Sequence, residues 1–331
     1  MVSSNRMIMS RAPLRISFAG GGTDISHYYS KHGTGAVVSA AINKYIHIVV
    51  NKKFDSMIRV SYSVTEIVDR VDQIKHPSVR EALKLMGING GIEIVSISDI
   101  PSSGTGLGSS SAFLVGLLNA LHAYVGEYAS PRTLSEEAVK IEREILREAG
   151  GKQDQYISAY GGMQLMEFYS NERVDVTPII MSEDFRKRMS ENLLLMYTGK
   201  QRPSTQIHNA QKGNVVNRIE HYRKMADLAR KIQTVCTSGN PDGIGSILHE
   251  NWLLKRDLSE GISDPVIDGW YDTAMKNGAM GGKIIGAGGG GFMLFYVPAE
   301  KREKVIRALP ELIVTDFNID YQGSRIVMVG D

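Results

Sequence analysis

The chain has 331 residues, a length that predicts two domains instead of one compact core. Its 42% hydrophobic and 22% charged residues are ordinary for a soluble globular protein, and a net charge of +2 without any run of lysine and arginine gives no reason to expect a nucleic-acid partner. The single cysteine, Cys236, excludes a disulfide framework and a multi-cysteine metal site, which suits a reducing cytoplasm.

The N-terminal stretch 1–11 lacks the apolar core of a signal peptide. No window approaches the roughly 18 continuous apolar residues of a membrane span. We therefore expect a cytoplasmic protein with no membrane partner. The 34 glycines gather in three places along the chain, and clustering of that kind indicates function.

The first glycine cluster closes a strand. An alternating strand pattern that contains Arg15 ends in a glycine triplet whose last member is Gly22, and Thr23 and Asp24 follow. Glycines at a strand end let a ligand approach the backbone closely, and Asp24 has a carboxylate suited to sugar hydroxyls, so Gly22, Thr23 and Asp24 are predicted to bind substrate. Locally, Asp24 is equally consistent with the N-cap of a following helix. The guanidinium group of Arg15 has a planar fork of N–H donors that suits phosphate, although a lone arginine more often forms a structural ion pair.

The next segment favours a hairpin. Two alternating strands, 35–42 and 45–50, are predicted to turn at 43–44. The mixed region after the hairpin gives no clear adenine pocket, and Tyr62 and Ser63 are only candidates for one.

The second glycine cluster predicts a phosphate cradle. Alternate glycines turn backbone N–H groups inward, and three hydroxyls stand at the start of a helix, predicted over 112–125, that is apolar on nearly every face. The N–H groups and the dipole of its first turn favour an anion. A plain glycine-rich turn is the alternative. The cradle consists of Gly104, Thr105, Gly106, Leu107, Gly108, Ser109, Ser110 and Ser111.

Two carboxylates follow the cradle. Glu142 flanks the packed side of a predicted helix, where it could coordinate a metal or pair with an arginine. Asp154 lies just past the end of that helix among glutamines, and on local sequence alone such an aspartate is more often a cap than a catalytic group.

The second half begins with a strand. The segments 171–177 and 182–192 are predicted to be connections, and the strand 193–197 opens a second domain. The loop after this strand contains Lys200 and Arg202, which could hold a second anionic group. A solvated loop is an equally good interpretation.

The third glycine cluster lies late in the chain. Its spacing at Gly286, Gly288 and Gly291 matches the dinucleotide pattern G-x-G-x-x-G, but a helix must follow that motif and here an apolar strand follows. We therefore expect close backbone contact with a substrate or triphosphate, with Gly288 and Gly289 binding substrate, and no oxidoreductase activity. The chain also has no G-x-x-x-x-G-K-[ST] string, which excludes a P-loop kinase.

Taken together, four segments in this order resemble the GHMP kinases, the family of galactokinase, homoserine kinase, mevalonate kinase and phosphomevalonate kinase. The stretch 13–24 is similar to the family's first motif, 101–111 to its second and 286–291 to its third. The stretch 151–155 is similar to the segment that carries its catalytic aspartate.

The resemblance implies roles for single residues. Asp154 matches the catalytic aspartate that orients or deprotonates the acceptor hydroxyl, and Arg15 matches the catalytic cation beside it. The cradle matches the triphosphate loop for ATP, while Ser110 and Glu142 match the Mg²⁺ ligands. Asp24 matches a sugar-hydroxyl ligand. Phosphoryl transfer itself mostly needs alignment and charge neutralisation.

Two departures from the family pattern bear on these roles. One residue more than usual separates Pro101 from Gly104, which leaves open which N–H groups meet the phosphates. Glu144 is the neighbour that could take the place of Glu142.

For the fold, the resemblance implies an α+β protein of two domains. The N-terminal, ATP-binding domain over 1–188 would be ribosomal protein S5 domain 2-like, and the C-terminal domain over 189–331 ferredoxin-like. ATP and sugar phosphate would meet in the cleft between them, and a homodimer is compatible with the family.

For the activity, the resemblance is greatest to the branch that acts on D-glycero-D-manno-heptose 7-phosphate. This implies transfer of the γ-phosphoryl group of ATP to the anomeric hydroxyl, giving the 1,7-bisphosphate. Lys200 and Arg202 would then hold the substrate's existing phosphate. A fucose-like or galactose-like acceptor is the alternative, and a non-catalytic nucleotide or sugar sensor is a third interpretation.

Overall fold

The computed structural model describes residues 7–101, 104–201 and 204–330, and within these ranges the chain forms two β-sheets. The strands are β1 (Met7–Ala19), β2 (Gly35–Lys52), β3 (Ile58–Ser61), β4 (Thr65–Val68), β5 (Ile92–Ser98), β6 (Met163–Phe168), β7 (Val174–Pro178), β8 (Leu193–Tyr197), β9 (Gly281–Ile284), β10 (Phe292–Tyr296), β11 (Ile313–Val314) and β12 (Arg325–Gly330).

Helices cover both sheets. They are α1 (Ser26–Tyr29), α2 (Pro77–Leu85), α3 (Ser109–Val125), α4 (Pro131–Val139), α5 (Gln153–Tyr160), α6 (Glu183–Asn192), α7 (Ser204–Asn214), α8 (Ile219–Ser238), α9 (Asp242–Arg256), α10 (Pro265–Lys276) and α11 (Arg302–Ala308). A π-helical turn, Lys140–Ile145, extends α4 toward the site. None of the described helices combines the length and the apolar composition of a bilayer-spanning segment.

The strand β2 is continuous, so the predicted hairpin at 43–44 is wrong. Its first half pairs with β6 and its second half with β5, while β1 runs antiparallel to both halves. The polar pair lies at a register shift opposite Pro13 and Leu14, and the N–H of Asn43 donates to the carbonyl of Asn318. Because each half has its own partner strand, a polar interruption is accommodated as a bulge instead of a turn.

Two predicted connections are in fact regular elements. The first contains β7, which pairs antiparallel with β6, and the second is the helix α6. Ser182 caps α6 by accepting the N–H of Phe185, and Phe185 and Met189 are its buried residues. Two apolar anchors four residues apart are too few for a clear periodic signal, but with a serine cap they suffice for a short helix.

The second sheet has the strand order β11-β8-β10-β9 and is antiparallel throughout. Counted along the segment, that order is 4-1-3-2, which is the ferredoxin-like arrangement that the resemblance implies. The helices α8 and α9 pack together, with α8 against β2 and α9 against β9 and β10, so they connect the two sheets. The final strand β12 returns to pair with β1. The domain boundary at 188/189 stays a prediction, since the segment after it contributes to both sheets.

The helix α3 fixes the position of the site. It packs on β1, β2, α4 and α5, and most of its residues are buried. It begins at Ser109, three residues before the predicted start, and Gly108 precedes it in the left-handed conformation. Its backbone is held to β1, because the hydroxyl of Ser10 donates to the carbonyl of Gly116 at 2.7 Å. The first turn of α3 is therefore held rigidly, and it faces the cavity described below.

Candidate active site

The cradle before α3 is built on left-handed glycines. Gly104, Gly106 and Gly108 have φ angles of 70°, 77° and 77°, which side-chain-bearing residues rarely adopt. The helix that follows supplies unpaired N–H groups and the positive end of its dipole. The sequence-based prediction of a glycine loop at a helix start thus agrees with the local geometry.

The cradle also touches the third glycine cluster directly. A Cβ added to Gly106 would lie 2.3 Å from the carbonyl oxygen of Ile285, and one added to Gly286 would lie 2.6 Å from the Cα of Gly106. A Cβ on Gly291 would lie 2.2 Å from the carbonyl oxygen of Thr105. Side chains cannot fit in this contact, so both clusters need glycine for the same packing reason.

A cavity of about 500 Å³ opens beside the cradle. Arg15, Asp24 and Asp154 line it from the first sheet and α5, while Lys255 and Gly286 line it from the other half of the chain. A second cavity of about 490 Å³ lies on the other side of the helix start. Ser110 lines both cavities, so the cradle separates two spaces that meet at one hydroxyl.

Arg15 and Asp154 form the central ion pair of the larger cavity. The Nε and Nη2 atoms of Arg15 donate to the two carboxylate oxygens of Asp154, each at 2.8 Å. The third guanidinium nitrogen donates to the carbonyl oxygen of Gly106 in the cradle. Arg15 is 5% exposed, whereas the Asp154 side chain is 21% exposed and faces the cavity. The guanidinium therefore fixes a carboxylate beside the phosphate loop, and a bidentate pair of this kind is geometrically specific.

Asp24 is buried at the edge of the same cavity. Its carboxylate accepts the N–H of Gly22 at 3.0 Å and the N–H of Gln153 at 3.1 Å. The N-cap position of α1 belongs to Ile25, so the N-cap alternative for Asp24 is wrong. Gly151 passes so close that an added Cβ would lie 1.8 Å from a carboxylate oxygen. The first glycine cluster and the Asp154 segment are thus joined by one carboxylate.

Thr23 does not face the cavity. Its hydroxyl is fully buried, donates to the carbonyl of Ala36 and accepts the N–H of the same residue, both at 2.9 Å. These two hydrogen bonds use the hydroxyl group to hold the loop against β2. Thr23 therefore stabilises the loop instead of binding a ligand. Gly22 does line the cavity, as the sequence predicts.

Lys255 is a cavity residue that sequence reasoning missed. Its amine is buried and donates to the carbonyl of Gly286 at 2.5 Å. Burial and the nearby Arg15 lower the pKa of Lys255 to about 8, although Asp24 and Asp154 act in the opposite direction. One sequence signal was present: Lys255 continues the buried helical stripe of Leu248 and Trp252, where a lysine is out of place.

Glu142 lies behind the cradle. Its carboxylate accepts the hydroxyl of Ser111 at 2.8 Å and the side-chain amide of Gln155, and Arg143 lies 3.5 Å away. Burial raises the pKa of Glu142, against the pull of Arg143 and the hydrogen bonds of Ser111 and Gln155. The side-chain oxygen of the Gln155 amide is buried and has no hydrogen-bond partner among the described residues.

Ser110 and Glu142 are the two residues predicted to hold a divalent cation, and of the two only Ser110 is among the residues that line the cavities. The hydroxyl of Ser110 and the carboxylate of Glu142 are the hard oxygen donors that Mg²⁺ prefers, and a cation nearby would stabilise both the buried carboxylate and the orphaned amide oxygen of Gln155. The described residues contain no group of three His, Cys, Asp or Glu side chains that could hold a metal by themselves. Such a group is not required, because Mg²⁺ is commonly held by one or two carboxylates together with phosphate oxygens.

The third glycine cluster faces the cavity with residues other than those predicted. Gly286 and Ala287 line it. Gly288 and Gly289 instead pack on Ile262: a Cβ on Gly288 would lie 2.7 Å from the Cα of Ile262, and the N–H of Gly289 donates to its carbonyl at 3.0 Å. The two glycines therefore shape the loop from behind. As predicted, the strand β10 follows the cluster and not a helix.

Lys200 does not line the cavity either, among the residues that the structure describes. Its amine lies 3.3 Å from the carboxylate of Asp264 and 5.2 Å from the ring centroid of Trp270. The predicted partner Arg202 lies outside the described residues.

The smaller cavity is lined by aromatic rings and hydroxyls. His76 lies between Tyr62 and Phe113, with ring centroids 4.8 and 4.9 Å apart. The Nδ1 atom of His76 is buried without a hydrogen-bond partner among the described residues. Tyr62 and Ser63, the sequence's two candidates for an adenine pocket, both line this cavity.

Comparison with known proteins agrees with this geometry. The family model for the GHMP kinases N terminal domain matches residues 74–162, and the model for the GHMP kinases C terminal domain matches residues 225–314. A curated relative from Campylobacter jejuni, D-glycero-alpha-D-manno-heptose 7-phosphate kinase, is 32% identical over 97% of this chain and 98% of its own length.

Solved structures show the same fold. A D-glycero-D-manno-heptose 1-phosphate kinase from Bacteroides thetaiotaomicron superposes with a TM-score of 0.81 at 26% identity, covering 98% of this chain and all of the other. The structure of a putative sugar kinase from Campylobacter jejuni superposes with a TM-score of 0.77 at 28% identity, covering 98% of this chain and 99% of the other. The chain thus belongs to the GHMP kinase family, has its two-domain α+β fold, and is a phosphotransferase that uses an alcohol group as acceptor.

Proposed function

We propose that this protein transfers the γ-phosphoryl group of ATP to the anomeric hydroxyl of D-glycero-D-manno-heptose 7-phosphate and releases the 1,7-bisphosphate. The observation that carries the proposal is the Arg15–Asp154 pair, because it presents a fixed carboxylate to a cavity that borders the phosphate cradle. The relative from Campylobacter jejuni, a D-glycero-alpha-D-manno-heptose 7-phosphate kinase, supports this choice of acceptor.

In this proposal Asp154 orients the acceptor hydroxyl and accepts its proton. An anomeric hydroxyl is more acidic than an ordinary alcohol, so a carboxylate can accept its proton. Arg15 neutralises charge that spreads over the transferring phosphoryl group, and Lys255 adds a second cation from the opposite wall. Asp24 and the backbone of Gly22 receive sugar hydroxyls at the cavity edge.

ATP would span the two cavities. The cradle from Gly104 to Ser111 receives the triphosphate, and adenine enters the smaller cavity, where the rings of Tyr62 and Phe113 suit a heteroaromatic base. Bound Mg²⁺, held by Ser110 and Glu142, would neutralise the charge of the phosphate oxygens. Residues 1–188 form the ATP-binding domain in this scheme and 189–331 the C-terminal domain, and a reducing, cytoplasmic location suits the single buried Cys236.

The test is a coupled ADP-release assay on the purified protein over a matched set of sugars. The set contains the heptose 7-phosphate, the heptose 1-phosphate, the unphosphorylated heptose, L-fucose and D-galactose. We expect the highest kcat/KM with the 7-phosphate and a new anomeric phosphate signal in the ³¹P NMR spectrum of the product. A kcat/KM at least tenfold higher for fucose or galactose would refute the proposed acceptor and favour the alternative one.

A further inference from the structure

One wall of the larger cavity is formed by the loop that follows the π-helical turn. Arg147 and Glu148, and then the backbone from Ala149 to Gly151, line the cavity along this loop. Arg147 has a φ angle of 54°, and Glu172 is the other non-glycine residue with a positive φ in the described part of the chain. A strained conformation persists where the surroundings fix it, so the position of this arginine is imposed by the loop.

Four cationic side chains line the cavity, and three of them already have partners. Arg15 is engaged by Asp154, and the amine of Lys255 donates to the carbonyl of Gly286. Arg143 donates to the carbonyl of Gly151 at 2.9 Å. Arg147 is the fourth. It is exposed to the cavity and forms no hydrogen bond or salt bridge with any residue that the structure describes.

We propose that Arg147 binds the phosphate that the acceptor sugar already carries. This inference rests on the proposed function and adds the residue that would distinguish a phosphorylated from an unphosphorylated sugar. The reacting hydroxyl belongs at Asp154 and the substrate phosphate at the other end of the sugar chain, so a cation is needed on a different part of the cavity wall from Arg15. A guanidinium offers several N–H donors in a planar fork that matches a phosphate.

A negative charge on the same loop indicates on which side of this subsite the phosphate binds. Glu148 also borders the cavity, and its carboxylate opposes a dianion placed beside it. The phosphate is therefore placed on the Arg147 side, and Glu148 faces the uncharged hydroxyls of the sugar.

Arg143 acts as a positioning residue for this loop. Besides its bond to Gly151, it donates to the carbonyl of Glu148 at 3.3 Å. Its guanidinium also covers Gly150, where an added Cβ would lie 3.0 Å from the Nη2 atom. These contacts hold the segment 148–151, which follows Arg147 directly.

The experiment compares Arg147→Met with the wild type on two substrates, the heptose 7-phosphate and the unphosphorylated heptose. We expect KM for the phosphorylated sugar to rise at least tenfold with kcat changed less than threefold. With the unphosphorylated sugar, kcat/KM should stay within twofold of the wild type. Arg147→Lys keeps the charge without the fork, and we expect it to restore part of the loss. Arg132→Met removes an exposed arginine from α4 and serves as the matched control.

Three results would overturn the inference. An unchanged KM in Arg147→Met would do so, and so would an equal loss of kcat/KM for both sugars, because the loop would then have only a structural role. A selective rise of KM in Lys200→Met or Arg202→Met, with Arg147→Met unaffected, would assign the phosphate to the loop predicted from sequence. If the wild type fails to phosphorylate the heptose 7-phosphate, the proposed function is refuted together with this inference, whereas turnover by the wild type with an unaffected variant refutes the inference alone.

Discussion

Arg15 and Asp154 bind each other through two hydrogen bonds of 2.8 Å although 139 residues separate them in the chain. The first lies on β1 and the second in the opening turn of α5. A pair fixed in this way keeps the carboxylate from rotating away from the cradle.

Substitution of Asp154 by Asn keeps the shape of this side chain and removes its charge. We expect kcat to fall about 10²-fold to 10⁴-fold, the range for losing a positioned general base, while KM for ATP changes less than threefold. Steady-state kinetics with ADP release measures both. Asp175→Asn, at an exposed aspartate on β7, is the control. Turnover within tenfold of the wild type would show that another group carries the chemistry.

The contact between the two glycine clusters makes Gly106 sensitive to a single methyl group. Gly106→Ala adds a Cβ 2.3 Å from the carbonyl of Ile285 and also strains a left-handed backbone. We expect KM for ATP to rise more than tenfold and the free energy of unfolding to fall by about 2–4 kcal/mol, the sum of backbone strain and overpacking.

Gly126→Ala provides a matched control, because Gly126 has a φ angle of 85° and no atom within 4 Å of an added Cβ. It should show the cost of the left-handed backbone alone, about 1–2 kcal/mol in urea denaturation, with normal kinetics. Equal effects of the two substitutions would contradict the tight contact between the clusters.

Lys255 should set the alkaline limit of activity. Its pKa of about 8 means that the amine is charged below this pH and neutral above it, so the second cation of the cavity is lost as the pH rises through about 8. We expect kcat/KM of the wild type to decline above that pH. In Lys255→Met the decline should be absent and kcat/KM at pH 7 about tenfold lower, the size of one lost charge-assisted contact.

The pH profile of kcat/KM reports groups of the free enzyme, so it is the right measurement for this residue. Lys231→Met, at an exposed lysine on α8, should keep the profile of the wild type. An alkaline decline that survives in Lys255→Met would assign it to a different group.

A second buried lysine affects stability. Lys283 is fully buried, and among the described residues its amine forms one hydrogen bond, 3.4 Å long, to the carbonyl of Phe18. Burial, with Lys255 and Arg15 adding to it, lowers the pKa of Lys283 well below its ordinary value of 10.5. Above the lowered pKa the unfolded chain holds more protons at this amine than the folded chain does, so the contribution of this residue to stability rises with pH until the ordinary pKa is reached.

Lys283→Met should remove that dependence. We expect the wild-type free energy of unfolding, relative to the variant, to increase between pH 7 and pH 9, by at most about 1.4 kcal/mol for each pH unit, because no more than one proton at this amine is linked to unfolding. Urea denaturation at the two pH values gives this difference. A constant difference between the two proteins would show that the amine keeps its proton in the folded state.

Much of the site could be predicted from the sequence because its parts are local. Alternating glycines before an apolar helix indicate the cradle from the local sequence, and Asp154 and Arg15 lie in short motifs. Lys255 has no motif, and its place in the cavity depends on how α9 packs against β9 and on where Gly286 lies. The continuity of β2 likewise depends on β5 and β6, which are distant in sequence.

The dependence on distant contacts also explains why the orientation of the third glycine cluster could not be predicted. Consecutive glycines carry no side-chain signal that could tell Gly286, at the cavity, from Gly288 and Gly289, which pack on Ile262. Spacing alone identified the loop and left its orientation open.

The close backbone contact between Gly106 and Gly286 also limits how the two loops can be moved into another protein. Each is shaped to the bare main chain of the other, so a graft that moves only one of them into another scaffold would meet a foreign surface and lose its curvature. An engineer who wants to alter ligand preference through either loop has to exchange both as a unit.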